Sequence, residues 1–506
     1  MAYVKRAGFT FLMAVMSFYC MMTTDTKYFY ATVITLVVGG LMGWFCYPTV
    51  REYLWPYGKE HIGIALFTLL WAERIAQRMM LHNIPRAQAV SVLPLGLFRW
   101  YGYALAGIGI WVCLMMAVRL LANGIPTVWN HVDQKVRREF LCIGVIFSLL
   151  VVVCYTAFPG WYTQFDRIYS VDTSSLLMNL YGNPEFLEAP HPLYGIVSYP
   201  ISVLAMDISE YFVPSAYDSL VFALVIQLIC IQTVLWSGLL LHVMTKHRYI
   251  FLLYCCSNAV MFYCLALEKY QIATFLVVLY MYLRSEKKVG SDTALVLAGG
   301  TMFTSFWAGV MELLQKESWK TKLLRVGRII IWTLGITVAS GHFLFFHQEL
   351  LGMFQLKEAF AKPVPMVGRM QSILWMIHSG FMPIDATMDG GFVIWRDVNS
   401  GWSVIGGSIL LIALLGFIVK YRDTLAQGAF AWILMAFLLF GPMNWCVTET
   451  PLFNIYFHWA IVLLFVFGAD WLLKKLRLKP QVVYPVLSGF LLVISVIDYI
   501  RIMQGM

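Results

Sequence analysis

Apolar runs as long as a membrane-spanning helix follow one another along almost the whole chain. A bilayer core about 30 Å thick is crossed by about 20 helical residues. The 506-residue sequence is 60% hydrophobic and 12% charged, with a mean hydropathy of +0.74. Because a globule of this size with so few charges could not solvate its surface, the sequence predicts an all-α polytopic membrane protein with about 12–14 transmembrane helices.

The third apolar run is the least regular of these predicted spans. It contains Glu73, Arg74 and Arg78, which should either reach the interface or find a partner. The predicted spans lie near residues 7–22, 28–48, 61–81, 98–120, 139–157, 215–244, 249–266, 271–284, 329–347, 403–420, 425–443, 455–473 and 481–500.

Basic residues occur in short clusters between the apolar runs, although the formal net charge is +9. Short basic connections are typical of cytoplasmic loops, so the charge indicates membrane orientation and no nucleic acid partner is predicted. The clusters are Lys135, Arg137 and Arg138; Lys246, His247 and Arg248; Arg284, Lys287 and Lys288; Lys316 to Arg328; Lys420 and Arg422; and Lys474 to Lys479.

Placing Lys5 and Arg6 in the cytoplasm and alternating the spans puts the polar segments on the extracytoplasmic side. The predicted outer loops cover residues 158–198 and 348–402, with a short turn around Glu449. The corner LEKYQ, which contains Glu268 and Lys269, joins two outward-facing helix ends beside them. Residues 1–136 are interpreted as an added transmembrane helical module, and residues 137–506 as the core.

Residues 291–314 are flanked by basic clusters on both sides, so one full span would leave a cluster on the wrong side. A helix pair broken at Gly299-Gly300-Thr301, which dips into the membrane and returns, satisfies both clusters. A single span with one misplaced cluster is the alternative.

The first outer loop contains the acidic residues Asp166 and Asp172 and the histidine His191. A carboxylate at the mouth of a membrane cavity can deprotonate a hydroxyl nucleophile, while its neighbour orients that carboxylate or binds a cation. Alternatively, the two aspartates solvate or cap the loop, with Asp172 capping a helix that starts at Thr173. His191 precedes a proline that opens a predicted helix over residues 192–206, a position that favours phosphate binding or serves only as an interfacial cap.

The order of motifs in the core resembles that of the GT-C membrane glycosyltransferases, in particular a bacterial branch. The motif VDT, the turn LYGN and the helix opening HPL follow one another in the first outer loop, and the LEKYQ corner is similar to the Glu-x-Tyr corner of bacterial members. The segments LAGGTMFTS and ETPLFNIYFHW also look like that group. The resemblance covers residues 139–471.

The resemblance implies transfer of a sugar, with inversion, from a polyprenyl-phosphate donor to a glycan, lipid or protein acceptor outside a bacterial inner membrane. Asp172 is then the first choice for the catalytic base and Asp166 the second. His191 and Glu268 are predicted at the substrate, and the cations predicted near the lipid phosphate are Lys269, Arg369 and Arg396; Glu449 and His378 are weaker candidates. The loop has no adjacent acidic pair, so metal dependence stays open and no divalent cation is indicated.

Two other classes of function fit a polytopic, cationic chain. A transporter or flippase of lipid-linked sugars would place ionisable groups near the middle of the membrane in two related halves. Here the polar residues concentrate on one side, which favours surface chemistry. A polymerase or ligase of lipid-linked glycans shares the large outer loop and stays an alternative.

Overall fold

The computed structural model confirms an all-α polytopic architecture. Among the described residues, six helices are long and apolar enough to cross a membrane: Ala104–Asn130, Gln134–Ala157, Leu220–Thr245, Gly401–Val419, Glu449–Lys475 and Pro480–Ile502. Three shorter apolar helical segments accompany them, at Val33–Pro48, Phe303–Leu314 and Thr424–Phe440. The structure describes residues 2–22, 29–54, 62–89, 95–163, 173, 176–177, 193–212, 220–286, 290–339, 364–389, 392–395 and 400–505.

The chain divides into two compact units. Unit 1 comprises Met1–Asn130, Asn179–Tyr211 and Gly327–Met353, and unit 2 comprises His131–Met178, Phe212–Val326 and Phe354–Met506. The first division therefore falls at Asn130, close to the predicted module boundary at residue 136, and unit 1 also contains two later segments.

Unit 1 is built from long helices. Acidic residues on one of them form ion pairs with the two arginines of the third apolar run. The guanidinium of Arg74 lies 2.9 Å from Asp207, and that of Arg78 lies 3.0 Å from Asp207 and 2.8 Å from Glu210. This confirms the expectation that these arginines find partners. The helices are α1 Ala2–Met22, α2 Phe29–Leu54, α3 Ile62–Ala89, α4 Leu95–Asn130 and, later in the chain, α7 Tyr194–Phe212.

Unit 2 contains most of the remaining helices and a β-hairpin. The hairpin pairs β1 Ala386–Asp389 with β2 Phe392–Trp395 in antiparallel register. The helices are α5 Gln134–Ala157, α6 Gly160–Thr163, α8 Leu220–Thr245, α9 Ile250–Cys255, α10 Asn258–Leu265, α11 Lys269–Ser285, α12 Ser291–Thr301, α13 Val310–Leu314, α14 Trp319–Ala339 (shared with unit 1), α15 Met366–Phe381, α16 Ser400–Val419, α17 Thr424–Phe440, α18 Asn454–Lys475 and α19 Pro480–Gly505, with 3₁₀ helices at Phe303–Gly309 and Val447–Phe453.

The long helices of unit 2 run between two ends of different character. At one end, which we call the corner end, the first turns of α11 and α18 lie side by side. The ring centroids of Tyr270 and Tyr456, one in each turn, are 6.3 Å apart. At the other, the basic end, His247 at the end of α8 lies 3.2 Å from Asp470 at the end of α18. The described members of the basic clusters of unit 2 lie at or near helix ends, and their predicted cytoplasmic location stays a prediction.

Two helices of unit 2 pack backbone against backbone through glycine. A Cβ atom on Gly416 of α16 would lie 1.9 Å from the carbonyl oxygen of Leu464 in α18, and one on Gly468 would lie 1.9 Å from the oxygen of Ile412. Small residues allow membrane helices to approach closely where hydrophobic exclusion of water does not hold them together. The two glycines therefore fix the position of α18, which carries part of the site described below.

Residues 291–314 form a broken helix pair, as predicted, although the helix continues through Gly299-Gly300-Thr301 and breaks at Met302; its insertion into the membrane stays a prediction. Helix α12 ends at Thr301, Met302 is extended with φ −148° and ψ 114°, and the chain returns as 3₁₀ helix and α13. Glu312 in α13 lies 2.9 Å from Arg284, which closes the hairpin at the basic end. We call residues 291–314 the re-entrant hairpin.

The structure differs from the predicted elements in three places. Residues 249–266 form two helices, because the chain turns at Cys256 and Ser257 where a single span was expected. The predicted outer loop 348–402 contains helix Met366–Phe381, whose apolar side is buried. The span predicted near 329–347 begins earlier, at Trp319, with several charged residues in its first turns.

Candidate functional site

The LEKYQ corner is a turn between α10 and α11 whose backbone is held by side-chain amides. Glu268 is the N-cap of α11, and its carboxylate accepts hydrogen bonds from the backbone of Lys269 and Gln271. The side chain of Gln271 in return accepts from the Glu268 backbone N–H at 3.1 Å and donates to the Ala266 carbonyl at 3.0 Å. This reciprocal arrangement is a capping box, and it explains why Glu and Gln stand three residues apart in this corner.

The carbonyl groups at the end of α10 are also satisfied from a neighbouring helix. Nε2 of Gln227 in α8 donates to the carbonyl oxygens of Tyr263 and Cys264, at 2.9 and 2.7 Å. The Tyr263 hydroxyl donates to the carbonyl of Leu452 in the 3₁₀ segment before α18. Since buried carbonyl groups need donors, these amide and hydroxyl groups fix the corner against both helices.

Glu268 and Lys269 are both buried, with 2% and 6% of their surface exposed. Charged residues are seldom buried to this degree unless they are paired or functional. The Glu268 carboxylate has an evident structural role as the N-cap. Lys269, the first residue of α11, is the other buried charge of the corner, and its predicted contact with the carrier phosphate stays a prediction.

Thr173 connects the first predicted outer loop to this corner. Its hydroxyl donates to the carbonyl oxygen of Leu267 at 3.0 Å, and its side chain is fully buried. Thr173 is the described residue of the VDT motif. The predicted residues Asp166, Asp172, His191 and Arg396 lie outside the described residues.

The tip of the re-entrant hairpin reaches the first turn of α18. The Tyr456 hydroxyl is hydrogen bonded to the hydroxyl groups of Ser305 at 2.8 Å and Thr304 at 3.0 Å. The ring of Tyr456 lies beside that of Tyr270, which follows Lys269 in sequence. A chain of aromatic and hydroxyl contacts thus connects the hairpin tip to the corner.

A small cleft with a cavity volume of about 20 Å³ opens at the corner end beside this turn. Its polar groups are joined by buried hydrogen bonds: Asn258 Nδ2 donates to the carbonyl of Ser379 at 2.8 Å, Asn454 Nδ2 donates to the same oxygen at 3.2 Å, and the Tyr499 hydroxyl donates to Asn258 Oδ1 at 2.9 Å. The lining residues are Asn258, Phe262, Ser379, Pro383, Ile384, Pro451, Asn454, Asp498 and Tyr499.

The other described candidates lie around these features. Arg369 Nε donates to the Val364 carbonyl at 2.6 Å and its NH1 group to the Gly441 carbonyl at 2.9 Å, so the guanidinium joins α15 to the end of α17. Glu449 lies in the 3₁₀ segment Val447–Phe453. The structure therefore gives Arg369 a structural role, and its predicted contact with a phosphate stays a prediction.

His378 in α15 is buried and neutral. Its ring stacks on Trp402 with centroids 6.1 Å apart, and Nδ1 has no hydrogen-bond partner among the described residues. Burial lowers the pKa of His378 from 6.5 to about 4, against the opposing effect of Asp385. It is thus suited to the core of the unit and poorly suited to bind a phosphate as a cation.

Within the described part of the chain, no group of three His, Cys, Asp or Glu side chains is placed to hold a metal ion. Comparison with protein-family models, with curated proteins and with solved structures gave no match.

Sequence reasoning missed the polar residues of the cleft. Asn258 and Asn454 stand inside apolar runs, CCSNAVMFY and PLFNIYFHW, and Asp498 lies near the end of the last span. A polar residue within a membrane span is costly unless it has a partner or a function. Polar residues within predicted spans could therefore have been singled out as candidate functional residues. The sequence could not show that all three line one cleft.

Proposed function

We propose that this chain transfers a sugar, with inversion, from a polyprenyl-phosphate donor to an acceptor on the extracytoplasmic side of a bacterial inner membrane. The corner holds the carrier phosphate, and the adjacent loop supplies the base. The acceptor is a glycan, lipid or protein that presents a free hydroxyl group.

The hydrogen bond between Thr173 and Leu267 is the main observation behind this proposal. It joins the VDT motif to the LEKYQ corner, two segments that are far apart in sequence and that the family resemblance assigns to one site. The corner lies at the end of unit 2 opposite the described basic clusters. By the positive-inside rule, that end faces away from the cytoplasm.

Each residue then has a chemical role. The Lys269 ammonium stabilises the charge that develops on the departing phosphate, as a preorganised cation in a water-poor site can do. Asp172 accepts the proton of the attacking hydroxyl group, with Asp166 as the second choice. His191 and Arg396 are proposed to contact the donor, and metal dependence stays open.

A second candidate function is movement of a lipid-linked sugar across the membrane. The re-entrant hairpin favours it, because interrupted helices that end inside a membrane protein are common in transporters. The buried Glu268 and Lys269 at one end of unit 2 favour surface chemistry instead.

The decisive experiment uses the full-length chain reconstituted into liposomes. The probes are short-chain polyprenyl-phosphate esters of radiolabelled glucose, galactose, mannose and arabinose, supplied with bacterial membranes as the acceptor source. Transfer is measured as release of polyprenyl phosphate together with labelled acceptor. Movement without bond cleavage would identify a transporter, and chain extension would identify a polymerase.

Two variants test the assigned roles, and a third serves as the control. Lys269→Ala should lower turnover about 100-fold or more, the scale seen when one preorganised donor is removed. Asp172→Asn should abolish transfer while donor binding persists. Lys420→Ala, which changes an exposed lysine at the basic end, is the matched control and should leave turnover unchanged. Normal transfer in both test variants would rule out this site.

A further inference from the structure

The cleft beside the corner has the size of a single water molecule. Its cavity volume is about 20 Å³, and a polar cavity of about 10–15 Å³ is enough to hold one water. Sites for larger organic ligands start at about 300 Å³. The cleft therefore takes a ligand of one or very few atoms, which leaves a water molecule and a small ion to be compared.

The walls of the cleft are polar and come from four helices. Four of the polar side chains are buried and line the cleft, one from each of α10, α15, α18 and α19: Asn258, Ser379, Asn454 and Tyr499. The two amides donate to the same Ser379 carbonyl oxygen, and the Tyr499 hydroxyl donates to Asn258 Oδ1. These contacts fix the polar groups of the wall relative to one another.

One hydrogen-bond acceptor in this wall is unsatisfied. Asn454 is 4% exposed, and its Nδ2 group donates to Ser379, whereas its Oδ1 atom is buried without a partner among the described residues. A buried carbonyl oxygen without a donor is costly. The Asp498 carboxylate lines the same cleft, so the two side chains together offer acceptors to a ligand that donates two hydrogen bonds.

Charge favours a neutral ligand over an ion. None of the lining residues is basic, so an anion would meet the Asp498 carboxylate without a matching cation in the wall. Of the two charged groups that act on Asp498, Arg501 has the larger effect and Asp385 the smaller. Because Arg501 offsets part of the carboxylate charge, the attraction for a cation is weakened. A water molecule supplies two donor hydrogens without adding charge.

We propose that this cleft binds one ordered water molecule, which donates one hydrogen bond to Asn454 Oδ1 and the other to the Asp498 carboxylate. The amide nitrogen of Asn258 carries a second hydrogen besides the one directed at Ser379, and the water oxygen can accept it. Three partners is the usual number for a buried water. The water then joins α19 to α10 and α18, a role that does not depend on the proposed transferase function.

The site is tested on the full-length chain in lipid nanodiscs by cryo-electron microscopy at a resolution that shows ordered water. One peak should lie about 2.7–3.2 Å from Asn454 Oδ1 and from an Asp498 carboxylate oxygen. Asn454→Leu should remove the peak, whereas Asp498→Asn keeps an acceptor oxygen and should retain it. Ser495→Ala is the matched control and should leave the peak unchanged, because Ser495 is buried in the same helix without lining the cleft.

Asn454→Leu also removes the bond to Ser379, so a second variant is needed. Asp498→Leu leaves that bond in place and should lose the water as well. The melting temperature of the native chain should be the same in NaCl and in KCl at equal ionic strength. A native map without the peak, or a peak that persists in both leucine variants, would overturn the assignment. A melting temperature that rises specifically with Na⁺ would identify a cation in place of the water.

Discussion

Replacing Glu312 by alanine should destabilise unit 2 more than any exposed charge substitution at the basic end. Glu312 is fully buried in the re-entrant hairpin. Its carboxylate lies 2.9 Å from Arg284 Nε and 2.8 Å from Arg325 NH1, and it accepts a hydrogen bond from the Tyr280 hydroxyl at 2.9 Å. The substitution removes the buried carboxylate that lies between the two guanidinium groups.

The expected loss follows from the burial of Glu312 and Arg284, since Arg325 keeps 21% of its side chain exposed. Removing one member of a buried ion pair costs about 3–5 kcal/mol, because the remaining charge stays desolvated. Glu317 lies 3.3 Å from both guanidinium groups and compensates in part. We therefore expect a loss near the lower limit, about 3 kcal/mol, whereas Glu317→Ala should cost about 1 kcal/mol or less because Glu317 is part-exposed.

The free energy of unfolding is measured by denaturant titration in detergent, followed by tryptophan fluorescence. A double variant, Arg284→Met with Glu312→Leu, should recover part of the loss, because it removes the stranded charge together with its partner. If Glu312→Ala is no more destabilising than Glu317→Ala, the ion cluster does not hold the hairpin and the reasoning fails.

Three further outcomes are expected. Because the pKa of His378 lies at about 4 in the folded chain and near 6.5 in the unfolded chain, stability should be constant above pH 6.5 and fall by about 3 kcal/mol on acidification to pH 4, as followed by denaturant titration. Gly416→Ala should lower stability by about 1–3 kcal/mol, because its new Cβ meets the Leu464 carbonyl. With native cysteines blocked, an impermeant thiol reagent added outside intact cells should label Asp385→Cys and not Lys420→Cys.

Each of these outcomes has a control or a contradicting result. His378→Gln should reduce the loss of stability between pH 6.5 and pH 4. An unchanged loss in that variant would show that other groups cause the pH dependence. Gly327→Ala meets nothing within 4 Å and should be neutral or slightly stabilising. Labelling of Lys420→Cys from outside would contradict the proposed orientation, in which the corner faces the extracytoplasmic side.

The fold could be predicted largely from the pattern of apolar runs and basic clusters. The spans follow from length and hydropathy, and the re-entrant hairpin follows from charges on both sides of residues 291–314, because a membrane penalises misplaced charge whatever the tertiary contacts are. The turn at Cys256 and Ser257 could not be predicted, since both neighbouring runs are equally apolar.

The site could be predicted only in part. The corner has a local sequence signature, Glu268 with Gln271, because a capping box is a contact within one turn. The cleft has none. Its residues come from α10, α15, α18, α19 and the segments beside α15 and α18, and only the packing of these elements brings Asn258 and Asp498 together.

The cap of α11 separates the roles of its two buried charges. The Glu268 carboxylate already accepts from the first backbone N–H groups of the helix, so a phosphate would have to rely on the Lys269 ammonium. Glu268→Ala should therefore lower stability by about 0.5–2 kcal/mol, as loss of an N-cap does, with turnover per folded molecule kept within a few-fold. Lys269→Met, which retains the length of the side chain, should melt near the native temperature and lose about 100-fold in turnover. Equal losses of turnover in the two variants, measured at matched folded fractions, would show that the corner acts as one structural unit and that Lys269 has no separate role at the phosphate.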